Sequence, residues 1–190
     1  AVYIAIGAHE GKIISIEGQE VKGVVSAVDI LRKIGDDEYP DFTGQTVVVI
    51  GGGNVAIDAA RSVVRLGAEK VTIVYRRRKV DMPAMKEEIE GAIAEGIEIL
   101  DLYTPVKVEK DEENRVKALW VQSQIVGPIK GGRPKPVKAN RDIERIECDI
   151  VISAIGQGIE SRDFEKEGIP VTQGVIDALD TTAVKNIPGI

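Results

Sequence analysis

Residues 47–65 read VVVIGGGNVAIDAARSVVR. A β-branched run, of the kind buried parallel strands use, is broken by three consecutive glycines. A helical pattern follows at once, with Val55, Ala59, Val63 and Leu66 on one face and Gly67 at its end. Gly51-x-Gly53-x-x-Ala56 between a strand and a helix is the dinucleotide fingerprint, with Ala in the third small position. Gly51 lets the chain turn sharply, with Gly52 beside it in the same turn. Gly53 lets backbone approach a pyrophosphate, and Ala56 lets the helix pack close to the sheet. The first helical amides, around Asn54 and Val55, lack intrahelical partners and favour an anion. The competing reading is a Gly-rich packing turn.

The end of the next strand, residues 71–75, bears on which nucleotide fits. An NADH site carries Asp or Glu there for the ribose 2′-hydroxyl. Here Tyr75 is followed by Arg76-Arg77-Arg78-Lys79. Guanidinium groups bind a 2′-phosphate through charge-assisted hydrogen bonds, whereas a carboxylate repels it. The sequence therefore predicts NADPH over NADH, with Arg76 and Arg77 as the main ligands and Arg78 or Lys79 assisting. The competing reading is a solvated basic loop.

The remaining pattern extends the fold. A helix is expected from Pro83 to residue 95, with Met85, Ile89, Ala92 and Ile93 inward, and a strand at 97–102. Residues 106–110 and 116–124 read as an antiparallel hairpin, 127–136 as a loop, 142–148 as a further strand, and 149–156 (DIVISAIG) as a buried one. The class is α/β: a Rossmann-like three-layer NAD(P)-binding domain, its parallel sheet joined by an antiparallel hairpin or meander crossover. Ahead of it, residues 1–7 and 12–16 read as strands, 26–34 as a helix with Ser26 as N-cap, and 35–44 as a linker. Residues 157–190 read as loop, short strands and turns, with a turn at Pro188-Gly189. Ala154-Ile155-Gly156 ends its strand as Ala5-Ile6-Gly7 does. It lies at the carboxyl edge where nucleotides sit in open α/β sheets, so it is a candidate lining for the nicotinamide.

Composition limits the alternatives. The chain has 190 residues, 31 acidic and 25 basic, for a net charge of −6. That balance argues against nucleic-acid binding. One Cys excludes an internal disulfide and any site built on several thiolates, and a lone His removes most hydrolase triads. No apolar run approaches the roughly 18 residues of a membrane span, and no leader is evident, which points to a cytoplasmic location. The apolar start at Ala1 and the close on NIPGI read as an excised piece of a longer protein. Asp58 and His9 are expected on the surface, Cys148 in the core, and the basic stretch KGGRPKPVK in a solvated loop.

In this order, VVVIGGGNVAIDAAR, VTIVYRRR, DMPA with its acidic helix, and DIVISAIGQ resemble the NADPH-binding domain of the glutamate synthase small (beta) chain family. AVYIAIGAHEGK and GVVSAVDILRKI extend the likeness to nearly the whole chain. The resemblance implies a flavoprotein with two dinucleotide-binding domains. Residues 1–44 would end a first FAD-domain segment and link onward, 45–156 would hold NADPH, and 157–190 would begin the return to the FAD domain. FAD and iron–sulfur clusters would belong to the parent protein and not to this fragment. Hydride would pass from NADPH to FAD, and electrons onward to the glutamate synthase large subunit. No residue here need be an acid, base or nucleophile. Gly51, Gly53, Asn54, Val55 and Ala56 would hold the pyrophosphate, Arg76 and Arg77 the 2′-phosphate, and Ala154, Ile155 and Gly156 would line the nicotinamide side. Other acceptors stay open, as in dihydropyrimidine dehydrogenase or ferredoxin:NADP oxidoreductase, as does a non-catalytic nucleotide-binding module.

Overall fold

Val47 and Val49 face one core cluster and Val48 and Ile50 another, and all four are buried. Such alternation with both faces covered marks a strand between two layers. In the computed structural model, which describes residues 2–179, 183, 184 and 187, the strand runs over Thr46–Ile50.

Two compact units are present, one of them spanning Lys12–Ile155. Its elements in chain order are β1 (Val24–Ser26), α1 (Ala27–Gly35), β2 (Thr46–Ile50), α2 (Asn54–Arg65), β3 (Lys70–Tyr75), α3 (Lys86–Ala94), β4 (Glu98–Asp101), β5 (Tyr103–Lys110), β6 (Val116–Lys130), β7 (Arg133–Lys138), β8 (Glu144–Glu147) and β9 (Ile150–Ser153). A parallel sheet has the order β1-β9-β2-β3-β4. Ile30 of α1, Ile57 and Val63 of α2 and Ile89 of α3 pack with Val47, Val49 and Ile73 on one face. Val108, Leu119 and Val121 of the antiparallel strands pack with Val48, Ile50 and Val74 on the other. The three-layer α/β plan with an antiparallel crossover is therefore the fold.

Local chemistry sets the element ends. Val28 N–H donates to Ser26 Oγ (3.1 Å), which caps α1 as expected. Arg61 of α2 donates to Glu88 and, at 2.8 Å, to Glu95, tying α2 to α3.

Four local expectations need correction. Residues 2–9 form no strand: Tyr3 is 91% exposed, and no described strand pairs with this segment. Residues 12–16 are also irregular, since only Glu17 and Lys22 beyond them make isolated bridges, to Lys107 and Arg115. Helix α3 starts at Lys86 rather than at Pro83, and Met85 and Ile93 are exposed while Ile89 and Ala92 are buried. Met85 is extended (φ −62°, ψ 140°) because its amide is engaged elsewhere, as described below. Finally, residues 127–136 are not a loop. β6 continues to Lys130 and β7 begins at Arg133, joined by Gly131 and Gly132 at φ 59° and 78°. Two adjacent left-handed residues are what a tight hairpin turn requires. The prolines that suggested a loop are tolerated in an arm whose strands lack neighbours on one side.

The second unit takes the described residues of 1–11 and 156–190. It holds antiparallel pairs Glu10–Gly11 with Gln157–Gly158, Val171–Thr172 with Val175–Ile176, and Ala178–Leu179 with Ala183–Val184, plus a helix at Arg162–Lys166. Pro188-Gly189 lies outside the described residues.

On the antiparallel sheet, Glu109 accepts from Arg145 Nε (2.9 Å) and Nη2 (3.0 Å) and from Trp120 Nε1 (2.8 Å). Arg145 first, then Trp120, pull the Glu109 carboxyl from its ordinary 4.5 down to about 2. A depressed folded-state value stabilises above the unfolded value and is lost on acidification. The Glu109 contribution is thus complete above about pH 4.5 and falls away as pH drops through about 2. In urea titrations the midpoint gap between wild type and Glu109→Gln should be widest near neutrality and close as pH falls toward 2. A pH-independent gap would contradict this reading.

Candidate nucleotide-binding site

The parallel sheet changes direction of growth at β2. From β2 the chain builds outward through β3 and β4, and the later β9 then pairs on its opposite side. Ligands in open α/β sheets bind at the carboxyl edge beside such a switch. Three segments leave that edge side by side: residues 154–155 after β9, 51–53 after β2 and 76–78 after β3.

Each glycine of the turn has its own reason to be there. Gly51 has φ 150°, and its N–H donates to Val74 O (3.1 Å). A Cβ on it would stand 2.4 Å from Ala154 O. The protein therefore demands this glycine. A Cβ on Gly52 would meet Tyr75 Cδ2 and Cε2 at 2.5 Å, so the ring at the end of β3 packs directly on its backbone. The fingerprint leaves this position open; the aromatic Tyr75 ahead of the arginines was the available signal. Gly53 differs. It is extended (φ −92°, ψ 175°), and its Cβ would meet only Pro83 Cγ, at 3.9 Å. Nothing among the described residues requires glycine there, whereas a group packed on the backbone from outside would. Ala56 is fully buried against the core.

Helix α2 opens with no side-chain cap. The cap position is Gly53, which has no side chain to offer, and Asn54 Oδ1 accepts from Met85 N (3.0 Å). Ala84 N donates to Gly52 O (3.2 Å). The 82–85 segment is thereby clamped to the turn, and the first amides of α2 are left for an anion.

The three arginines after β3 are in three different states. Arg76 is exposed, and among the described residues no hydrogen bond or ion pair engages its guanidinium. Arg77 is half-buried, and its Nε donates to Pro134 O (2.9 Å) on β7. Arg78 is locked in a fork on Asp81, Nε to Oδ2 at 2.8 Å and Nη2 to Oδ1 at 2.9 Å. That pairing holds the Asp81 carboxyl below its ordinary range. Lys79 N donates to Asp101 Oδ2 (2.7 Å). The sequence reading finds no carboxylate among the cations, but the fold brings two. A 3-10 turn at Lys79–Asp81 swings Asp81 back, and the β3–β4 register sets Asp101 beside Tyr75. The basic segment is less positive than its sequence suggests; Arg76, Arg77 and the exposed Lys79 ammonium, none of them in an ion pair among the described residues, carry the charge still available.

Ala154 N donates to Ile50 O (2.8 Å), so residue 154 flanks the glycine turn, and Ile155 is exposed. Gly156, at φ 129°, belongs to the second unit. Asp58 is exposed on α2. Cys148 is buried, and burial pushes its thiol up to about 12, so it is an inert core residue. Among the described residues, no group of three or more His, Cys, Asp or Glu is placed to hold a metal ion, and no helix is long and apolar enough to cross a membrane.

A family model described as pyridine nucleotide-disulphide oxidoreductase matches residues 1–190. The chain belongs to that family. Its members are NAD(P)-dependent flavoprotein oxidoreductases that bind NADPH and FAD. With one Cys, these 190 residues hold no dithiol–disulfide pair of their own. The chain is 37% identical over 195 residues to the NADPH-Fe(3+) oxidoreductase subunit beta of Geobacter sulfurreducens, covering 99% of this chain and 28% of that protein. It is 33% identical over 192 residues to the NADP(+)-dependent formate dehydrogenase subunit beta of Moorella thermoacetica, covering 100% and 27%. It is 32% identical over 184 residues to the glutamate synthase [NADPH] small chain of Halomonas elongata, covering 91% and 39%. The chain thus spans well under half the length of these family members. In fold it is similar to FprA of Mycobacterium tuberculosis in complex with NADPH, with TM-score 0.71 and 18% identity, covering 92% of this chain and 55% of that one.

Proposed function

We propose that these residues are the NADPH-holding part of a flavin-dependent oxidoreductase that delivers electrons to a partner subunit. The observation that carries the reading is Gly53. It is a glycine that no contact among the described residues calls for, at the uncapped opening of α2, on the carboxyl edge that Arg76 and Arg77 share. The amides of Gly53, Asn54 and Val55 would take the pyrophosphate, with Gly51, Gly52 and Ala56 shaping the turn. Arg76 and Arg77 would take the 2′-phosphate. Arg78 would anchor the loop through Asp81 rather than touch the ligand. Ala154, Ile155 and Gly156 would line the nicotinamide side.

Bound NADPH supplies a hydride, and FAD held by the rest of the polypeptide is its acceptor. This chain binds and orients; no side chain need move a proton. We place FAD and any iron–sulfur cluster outside these residues, because the single fingerprint serves the nucleotide and one buried Cys cannot ligate a cluster. On that reading 45–156 form the NADPH domain, 1–44 end a first FAD-domain segment and link onward, with β1 and α1 of that link already added to the NADPH sheet and core, and 157–190 begin the return to the FAD domain.

The acceptor of a glutamate synthase small chain is its large subunit, and that remains our reading of the partner. A second reading has its own support. Relatives named for Fe(3+) and for formate are as similar as the one named for glutamate synthase. All three names contain NADP(H), and they differ in the other electron partner. The part these relatives share with this chain is then the nucleotide end. Calorimetric titration of the chain with NADPH and NADH tests the reading. NADPH should bind at least about tenfold more tightly, the value of one charge-assisted bond. Equal affinity, or preference for NADH, would contradict it.

A further inference from the structure

The β6–β7 arm reaches back to the basic segment and grips one arginine of three. Gln124, at the base of the arm, donates its N–H to Leu102 O (2.6 Å), and Leu102 N donates to Arg77 O (3.0 Å). Leu102 sits at φ 60°, a left-handed conformation unfavourable for a branched side chain and retained where the surroundings impose it. Further along the arm, Pro134 O accepts from Arg77 Nε (2.9 Å). Arg77 is therefore held by its carbonyl at one end and by its guanidinium at the other. A neutral carbonyl on Nε leaves the charge intact and, among the described residues, leaves both terminal nitrogens without a hydrogen bond or ion pair, although the Asp81 carboxylate is near enough to feel that charge. Arg78 has its fork closed on Asp81, and among the described residues nothing holds the Arg76 guanidinium. Residues 124–138 contain Lys130, Arg133, Lys135 and Lys138 and no acidic residue, in a chain of net charge −6.

We infer that the arm is a specificity element for 2′-phosphorylated adenosine: Pro134 pre-orders the Arg77 guanidinium so that its terminal nitrogens serve the 2′-phosphate. Pre-ordering removes the loss of side-chain freedom that binding otherwise incurs. Pro134 acts through Arg77 and is a positioning residue. This inference rests on the NADPH reading above.

The test is calorimetry with adenosine 2′,5′-bisphosphate and with AMP. The arm is trimmed by replacing residues 126–136 with Asn-Gly, which keeps the paired Ile125 and Val137 as the flanks of a two-residue turn. Trimming should weaken the bisphosphate roughly tenfold, a usual coupling between contacting groups, and leave AMP unchanged. In an Arg77→Ala background it should have no further effect. Should the trimmed chain fail to fold by circular dichroism, Arg77→Lys with the intact arm gives the answer. It keeps the charge but has no Nε for Pro134, and should lose the same selectivity. Undiminished bisphosphate binding in the trimmed chain or in Arg77→Lys overturns the inference and leaves the NADPH reading standing. An equal loss with Ala at 77 also overturns it, since the arm would then act through its own lysines. A wild type that binds bisphosphate no better than AMP overturns both.

Discussion

Gly53→Ala should leave the protein as stable as wild type and remove tight NADPH binding. Its added methyl would have only Pro83 Cγ nearby, at 3.9 Å, an ordinary contact. The backbone at φ −92° and ψ 175° suits alanine. Stability should therefore change by no more than about 0.5 kcal/mol, as at unengaged surface positions. The same methyl would occupy the space where a pyrophosphate must meet the amides of α2. Each hydrogen bond to a charged group is worth about 1.5–3 kcal/mol, so losing one or two lowers affinity by roughly 10- to 100-fold or more. Thermal melting and calorimetry on the same preparation separate the two effects. Gly51→Ala is the matched control. With φ 150° and Ala154 O at 2.4 Å from the new Cβ, it should lose stability whether or not nucleotide is present.

Arg76→Ala should cost NADPH roughly 10- to 100-fold in affinity and leave NADH unaffected, because the 2′-phosphate alone distinguishes the two. The side chain has no partner among the described residues, so melting should not shift. Added salt should weaken NADPH binding to wild type more than to the variant, since an exposed charge pair is screened. A similar loss for both nucleotides would show that Arg76 supports the loop rather than reads the phosphate.

The parts of this account that were legible in sequence are local in origin. The run from Val47 to Leu66 states strand, turn and helix through a change of hydrophobic period within a few residues, and three glycines mark the switch. Ser26 announces α1 in the same way. What could not be read depends on partners far along the chain. Residues 2–7 have strand composition, but a strand exists only where another pairs with it. Pro128, Pro134 and Pro136 obscured an arm whose turn, Gly131-Gly132, was in plain view. The helix expected at Pro83 begins later because Ala84 and Met85 are bonded to Gly52 and Asn54, 32 and 31 positions earlier. The four cations after Tyr75 looked uncompensated because Asp101 joins them only through β3–β4 register. Likewise the need for glycine at 52 comes from the Tyr75 ring, a contact made across neighbouring strands. The candidate site was thus legible as a motif, while the separate duties of Arg76, Arg77 and Arg78 belong to the tertiary fold.

The measurement closest to the central claim is an amide-resolved NMR titration of the chain with NADPH. The account predicts the largest shifts at the backbone amides of residues 52–56, with the side-chain Nε signals of Arg76 and Arg77 moving in step and saturating at the same concentration. Saturable binding that leaves those amides unmoved while another surface responds would contradict it.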